Sequence, residues 1–209
     1  MTKLEFEKLK EQVRKRLEKN DVAHDFEHIM RVLKNATMIA RKEKANIRVI
    51  TAAVLLHDIV SYPKSDPRSK NSAVESAQEA RKILKKYNFN QGQIDTISDA
   101  IRDHSFSRGI TPKTLEGKIL QDADRLDALG AIGIARTFSV SGAEKRPFYN
   151  TNDPFCRKHI PNDKRWTLDH FYKKLLLVEK TMNTNAGKTE AKKRIKVMKK
   201  FLGELKKEI

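Results

Sequence analysis

Along most of the chain apolar residues recur every three or four positions, a period that predicts helices rather than strands. Residues 4–17 read as a charged amphipathic helix. A second covers about 26–42, with Ile29, Val32, Leu33, Ala36 and Ile39 or Ala40 on one face. Asn46 is placed to cap a third over 47–60, the most apolar stretch and therefore the central one. Pro63 and Pro67 then end it in a loop rich in Ser, Asp and Lys. Further helices are expected over 72–87, opened by Ser72, and over 91–104. Asp122 sits where an N-cap belongs for a helix running to about Phe138, and Gly130 and Gly133 within it would let a neighbouring helix approach closely. The period fails over 141–166, which holds three prolines and several Asn and Asp. A stretch of that kind is expected to be a lid, a binding loop facing substrate, or disordered. Helices over 168–182 and 191–205 close the chain. There is no internal repeat, and no strand pattern of real length. The expectation is an all-α helical bundle in a single domain over 1–209: a core at about 20–140, with the loop 141–166 and C-terminal helices over 167–207 packed on it.

Composition agrees with a heavily charged helical protein. Of 209 residues, 38% are apolar and 34% charged, a mix that suits neither a β-sandwich nor a disordered chain. No apolar run approaches the roughly 20 residues needed to span a bilayer. The first residues carry acidic groups and lack the apolar run of a signal peptide, and Cys156 stands alone, which excludes an internal disulfide; a cytoplasmic protein with no membrane partner is expected. The net charge of +17 raises the question of nucleic acid. From 188 to 209 there are nine Lys or Arg against three Glu, about a third of the excess. Lys192, Lys193, Lys196, Lys199 and Lys200 recur around several helix faces, which reads as a solvated terminal helix or as attraction for an anionic partner such as a nucleotide.

Three segments carry chemistry. In Ala52-Ala53-Val54-Leu55-Leu56-His57-Asp58-Ile59-Val60 a His and an Asp stand side by side inside an otherwise buried run. A buried carboxylate is costly unless paired or bound to a cation, and imidazole with carboxylate is a donor set a divalent ion accepts. Upstream, His24 and His28 are four apart, the spacing of one helix face, though such pairs also arise by chance. Downstream, Asp122, Asp124 and Asp127 read either as a capped, solvated helix start or, given the apolar flanks Ile119, Leu120, Leu126 and Leu129, as a partly buried turn.

In order, these segments resemble the HD superfamily of metal-dependent phosphohydrolases: a His, then His-Asp, then a distal Asp. His24-Asp25-x-x-His28-x-x-Arg31-Val32, Leu56-His57-Asp58-Ile59-Val60, His104-Ser105-Phe106-Ser107, Lys118-Ile119-x-Gln121-Asp122-Ala123-Asp124-Arg125-Leu126, Gly130-Ala131-Ile132-Gly133 and Asp169-His170-Phe171-Tyr172-x-Lys174-Leu175-Leu176 resemble the bacterial YedJ/YpgQ-type branch. The resemblance implies an HD-domain fold and metal ligands His28, His57, Asp58 and Asp124, with Asp122 a cap or a group behind the ligands. It implies one divalent ion (Mn, Mg, Fe, Co or Ni), a metal-activated water as nucleophile, and a small phosphorylated substrate, expected to be a nucleotide. Asp58 is a candidate base, and Lys64 and Arg68 are candidates for the leaving phosphate. His24 and Asp25 orient ligands, touch substrate or serve the fold alone. His104 either acts as proton donor or water ligand, or simply satisfies a helix C-terminus. Arg125 adjoins a metal ligand and either serves the leaving phosphate or, as is expected, forms a buried ion pair with a carboxylate; His159 and His170 are expected as a loop residue and a packing residue. Further histidines between His-Asp and the distal Asp, needed by two-metal members, are represented here by His104 alone. The Glu-Asp pair of the guanosine-alarmone hydrolases is missing from Ile59 to Lys64. The alternative class is a nucleic-acid-directed phosphodiesterase or binding protein, motivated by charge but lacking an aromatic–basic stacking motif.

Overall fold

A computed structural model describes residues 2–17, 25–62, 66–105 and 108–209; the candidates His24 and Lys64 lie outside these residues. Helices account for the regular structure, with no strand among the described residues. The chain gathers into two compact units, Met1–Asp124 and Arg125–Ile209.

In the first unit, α1 (Lys3–Leu17) buries Leu9, Val13 and Leu17. α2 (Phe26–Glu43) is capped by Asp25, whose side chain accepts from the His28 N–H, and its buried face includes Ile29, Val32, Ala36, Ile39 and Ala40. It stops at Lys44, which takes a left-handed φ of 55°, so that its own N–H and that of Ala45 both reach back to the Ala40 carbonyl. α3 (Ile47–Leu56) is the hub, packing on α1, α2, α4 (Ser72–Leu84) and α5 (Gln91–Asp103). Every α3 residue from Ala52 to Leu56 is buried, as its apolar sequence requires. Asn46 caps it, accepting from the N–H groups of Arg48 and Val49. α3 ends at Leu56 rather than at 60, because the chain turns after His57 and is fastened to α4 instead: the Ser76 hydroxyl both receives the Val60 N–H and donates to the Val60 carbonyl, each at 3.1 Å. Tyr62 adds a hydroxyl bond to Glu75 at 2.6 Å. α5 opens with a reciprocal capping box between Asn90 and Gln93.

The distal Asp cluster departs from expectation. α6 spans Leu115–Asp127, so Asp122 lies fully buried inside a helix rather than at the start of one. The helix start belongs to Thr114, whose hydroxyl accepts from Gly117 N–H at 3.1 Å. A separate helix, α7 (Gly130–Ala143), follows because Gly130 adopts φ +74°, which breaks the helical path.

The second unit holds α7, an irregular stretch over 144–168, α8 (Asp169–Lys173), a 3-10 helix (Leu175–Thr181) and α9 (Asn185–Glu208). The expected helix over 168–182 is therefore a short α-helix followed by a 3-10 segment, and α9 begins earlier than 191 because Thr184 caps it through Gly187 N–H. α9 crosses α7 where the glycines permit: a β-carbon on Gly130 would sit 3.4 Å from Arg194, and one on Gly133 3.3 Å from Met198. Phe138 meets Phe148, Phe171 and Phe201 in one aromatic cluster. The irregular stretch is anchored by Leu168 N–H to the Phe148 carbonyl at 2.8 Å and by both donors of Thr167 to the Pro147 carbonyl. Lys192, Lys193, Lys196, Lys199 and Lys200 are all exposed on α9. No helix among the described residues is long and apolar enough to cross a membrane.

Three stability outcomes follow from this packing. Asn46→Ala should lower unfolding free energy by about 1 kcal/mol, since two helix-start donors lose their acceptor. Gly133→Ala should cost about 1–3 kcal/mol, because its β-carbon would fall 2.2 Å from the Ala128 carbonyl oxygen. Gly142→Ala, in the same helix with nothing within 4 Å, should instead add up to about 1 kcal/mol. Urea titrations at unchanged m-value measure all three.

Candidate metal centre

The first unit brings the expected ligands together from three helices. His28 stands in the first turn of α2, held there by the 2.7 Å bond from its own N–H to Asp25, so Asp25 serves the helix start. His57 is the C-cap of α3 and His104 the C-cap of α5. Each imidazole approaches the carbonyl three residues back through Nδ1, His57 to Val54 at 2.7 Å and His104 to Ile101 at 2.6 Å. With Nδ1–H donating to a carbonyl, the His57 Nε2 keeps its lone pair, and the Nε2 atoms of both rings face inward. Asp58 follows His57, and Asp124 projects from α6.

The distances close the cluster. His28 Nε2 lies 3.5 Å from Asp124 Oδ1 and 3.8 Å from Asp58 Oδ2. His57 Nε2 lies 3.5 Å from Asp58 Oδ2, and His104 Nε2 lies 3.6 Å from Asp58 Oδ1. The His57 ring is 5.5 Å from that of His28 and 4.9 Å, edge-on, from that of His104. The three imidazoles are buried, whereas Asp58 is 16% and Asp124 26% exposed. The rings thus make a floor and the carboxylates an accessible rim.

Charge is distributed to match. Burial pulls His57 below the ordinary histidine range, against the pull of Asp58. Burial would raise Asp58, but His57, His104 and His28 outweigh it and hold the carboxyl well below its usual value. Burial opposes charge on His104 too, yet the nearby Asp58 carboxylate prevails and raises it.

Does this set suit a divalent ion? His57 Nε2 is buried and has no hydrogen-bond partner, which in a polar cluster is costly unless a cation takes the lone pair. Two overlapping donor sets, His28–His57–Asp124 and His57–Asp58–His104, each have their ligand atoms within 4.8 Å of one another. Mixed imidazole and carboxylate donors are those of a borderline to hard divalent ion, so the residues fit the group. His104 is the notable addition, because it supplies the second set and still satisfies its helix end.

Arg68 is not gathered with these groups: its guanidinium is paired with Asp66 at 2.7 Å, lies over the Tyr62 ring and is 65% exposed. Arg125 donates to the Thr181 carbonyl. Two positioning residues escaped the sequence reading. Asn35, a polar side chain on the apolar face of α2, donates to the Ala123 carbonyl at 3.2 Å, next to Asp124. Ser76 ties down the turn that carries His57 and Asp58. An Asn beside Val32, Ala36 and Ile39 was the available signal for the first; nothing local marks the second.

Comparison with known proteins identifies the family. The family model described as HD domain matches residues 25–129. The Bacillus subtilis protein YpgQ is 33% identical over 190 residues, covering 89% of this chain and 84% of that protein. An HD-superfamily hydrolase from Bacillus thuringiensis superposes with a TM-score of 0.77 at 35% identity, over 98% of this chain and 96% of that one. The structure of Bacillus subtilis YpgQ in complex with ADP superposes with a TM-score of 0.76 at 29% identity, over 100% and 97%. The matched residues are the ones that bring the imidazoles and carboxylates into one cluster, and the chain belongs to the HD domain family.

Proposed function

We propose that this chain is a metal-dependent phosphohydrolase of a nucleotide or similar small phosphate ester, with the ion held by His28, His57, Asp58 and Asp124. The observation that carries the reading is the buried, unpartnered Nε2 of His57 beside ionised Asp58, an arrangement that a divalent cation completes. Such an ion, when bound, polarises a phosphoryl oxygen and lowers the pKa of water toward about 7. The rest is done by side chains. Asp58 keeps 16% of its side chain exposed and stays ionised, so it can take the proton of the attacking water, although a carboxylate shared with a cation is a weakened base. His104 Nε2 faces the other oxygen of Asp58 at 3.6 Å, at the edge of the cluster where a proton on it can be handed to the leaving oxygen. Lys64 and Arg68 follow the His57–Asp58 pair in the chain and offer cations to the departing phosphate; Arg68 would exchange Asp66 for it. His24, next to the cap residue Asp25, is the remaining candidate for substrate contact.

The nucleotide class draws support from the relative whose structure holds ADP, and nucleoside triphosphates are the first substrates to try. The +17 charge favours a second reading, a nucleic-acid-directed phosphodiesterase.

Phosphate or pyrophosphate release from a panel of nucleotides, with Mn²⁺, Mg²⁺, Fe²⁺, Co²⁺ or Ni²⁺ supplied, separates the two. Small nucleotides should be turned over, and Asp58→Ala should abolish the activity. If no phosphorylated metabolite is cleaved while Asp58→Ala still retains DNA or RNA with a steep salt dependence, the second reading replaces the first. His104→Gln should lower kcat by roughly 10²–10⁴-fold, as loss of a proton-transfer group does, while the metal content measured by elemental analysis stays unchanged.

A further inference from the structure

The second unit holds another cluster of metal-binding side chains, in the irregular stretch over 144–168 and the start of α8. Asp153 accepts the N–H groups of Arg157 at 3.0 Å, Lys158 at 2.7 Å and His159 at 3.1 Å, which curls 153–159 around one carboxylate. The same carboxylate receives His159 Nδ1 at 2.8 Å. The other ring nitrogen, Nε2, lies 2.8 Å from Asp169 Oδ2 and 3.7 Å from Cys156 Sγ. Trp166 sets its ring edge-on to the imidazole with centroids 5.3 Å apart, fixing the ring plane.

Two features go beyond a histidine held between carboxylates. Asp169 is fully buried, and although its Oδ2 also accepts the Asn162 N–H at 2.7 Å, its Oδ1 has no hydrogen-bond partner. The thiol stands beside the same carboxylate: burial, then Asp169 and Asp153, push Cys156 up to about 12. Asp153 and Asp169 raise His159, so an imidazolium answers part of this charge, yet Asp169 Oδ1 stays buried and unmatched, an acceptor beside a thiol and an imidazole that a cation would satisfy.

We propose that Cys156, His159 and Asp169 form a second metal-ion site, of zinc type, with Asp153 as the positioning residue for His159. The donor atoms lie within 4.8 Å of one another. Tetrahedral zinc with bonds of about 2.3 Å to sulfur and about 2.0 Å to nitrogen separates those two atoms by about 3.5 Å. The observed Sγ to Nε2 distance of 3.7 Å already matches. The 2.8 Å hydrogen bond from Nε2 to Asp169 must open by about 0.6 Å, as its proton gives way to the cation. Asp153 on Nδ1 reproduces the carboxylate–histidine–metal relay that orients a ligand imidazole. Sulfur, nitrogen and oxygen donors together select a borderline ion such as Zn²⁺ over Mg²⁺ or Ca²⁺. Binding releases two protons to solvent, one from the Cys156 thiol and one from His159 Nε2, and leaves thiolate, neutral imidazole and carboxylate on the ion. Three protein donors leave one position open for water. The ion would clamp a stretch that contains no regular helix, joining 153–159 to the first residue of α8.

Cobalt tests this on the full chain, because the His57–Asp58 cluster contains no sulfur and Cys156 is the protein's one cysteine. Metal-stripped protein titrated with Co²⁺ should develop a thiolate-to-cobalt charge-transfer band in the near ultraviolet, with a final intensity that corresponds to one thiolate-bound cobalt per chain. Cys156→Ser should lose the band and bind one Co²⁺ fewer per chain. Asp153→Asn should keep the band but weaken cobalt binding at this site by roughly 10–100-fold. A wild-type titration without the band, or Cys156→Ser with unchanged cobalt stoichiometry, overturns the proposal. The cluster is then an imidazolium braced by two aspartates, with the thiol idle.

Discussion

Around Asp58 three buried imidazoles converge on a carboxylate that is mostly withdrawn from water, and the first unit is arranged to make that tolerable. Desolvating an anion is costly, so the surrounding nitrogens hold it ionised while burial keeps His57 from charging in turn. The fold commits α2, α3, α5 and α6 to this point, each ending or beginning near it with a polar residue, while the bodies of the helices supply apolar packing. α3 shows the division most clearly: continuous aliphatic burial up to Leu56, then His57 and Asp58 where the helix stops.

Much of this was legible because local chemistry encodes it. Helical period placed α1 to α5 within a few residues, and the cap Asn46 lies where a short polar side chain precedes an apolar run. His57-Asp58 stood out as a polar pair within an aliphatic stretch, and it lies in the cluster together with His28 and Asp124. The break between α6 and α7 was missed: three aspartates look like a helix start, whereas the real start at Thr114 and the stop at Gly130 depend on a hydroxyl and a backbone angle that no period reveals.

Long-range partners were the least visible. Asn35 and Ser76 act on backbone atoms 88 and 16 residues away, and no spacing rule connects them. His159 was expected to be an ordinary loop residue because the stretch around it has no helical period. Its surroundings come from Asp153, Cys156 and Asp169, which only the folded loop brings round the ring.

The double duty of His57 and His104 has a cost in heat. Helix termini are the first parts of a helix to fray, opening at free energies far below global unfolding. Because both imidazoles are anchored to the last carbonyls of α3 and α5, a fluctuation that unwinds one terminal turn also swings a nitrogen out of the cluster. Thermal inactivation should therefore run ahead of the loss of helical signal, and an ion held by His57 would steady the end of α3 and narrow the gap between the two transitions.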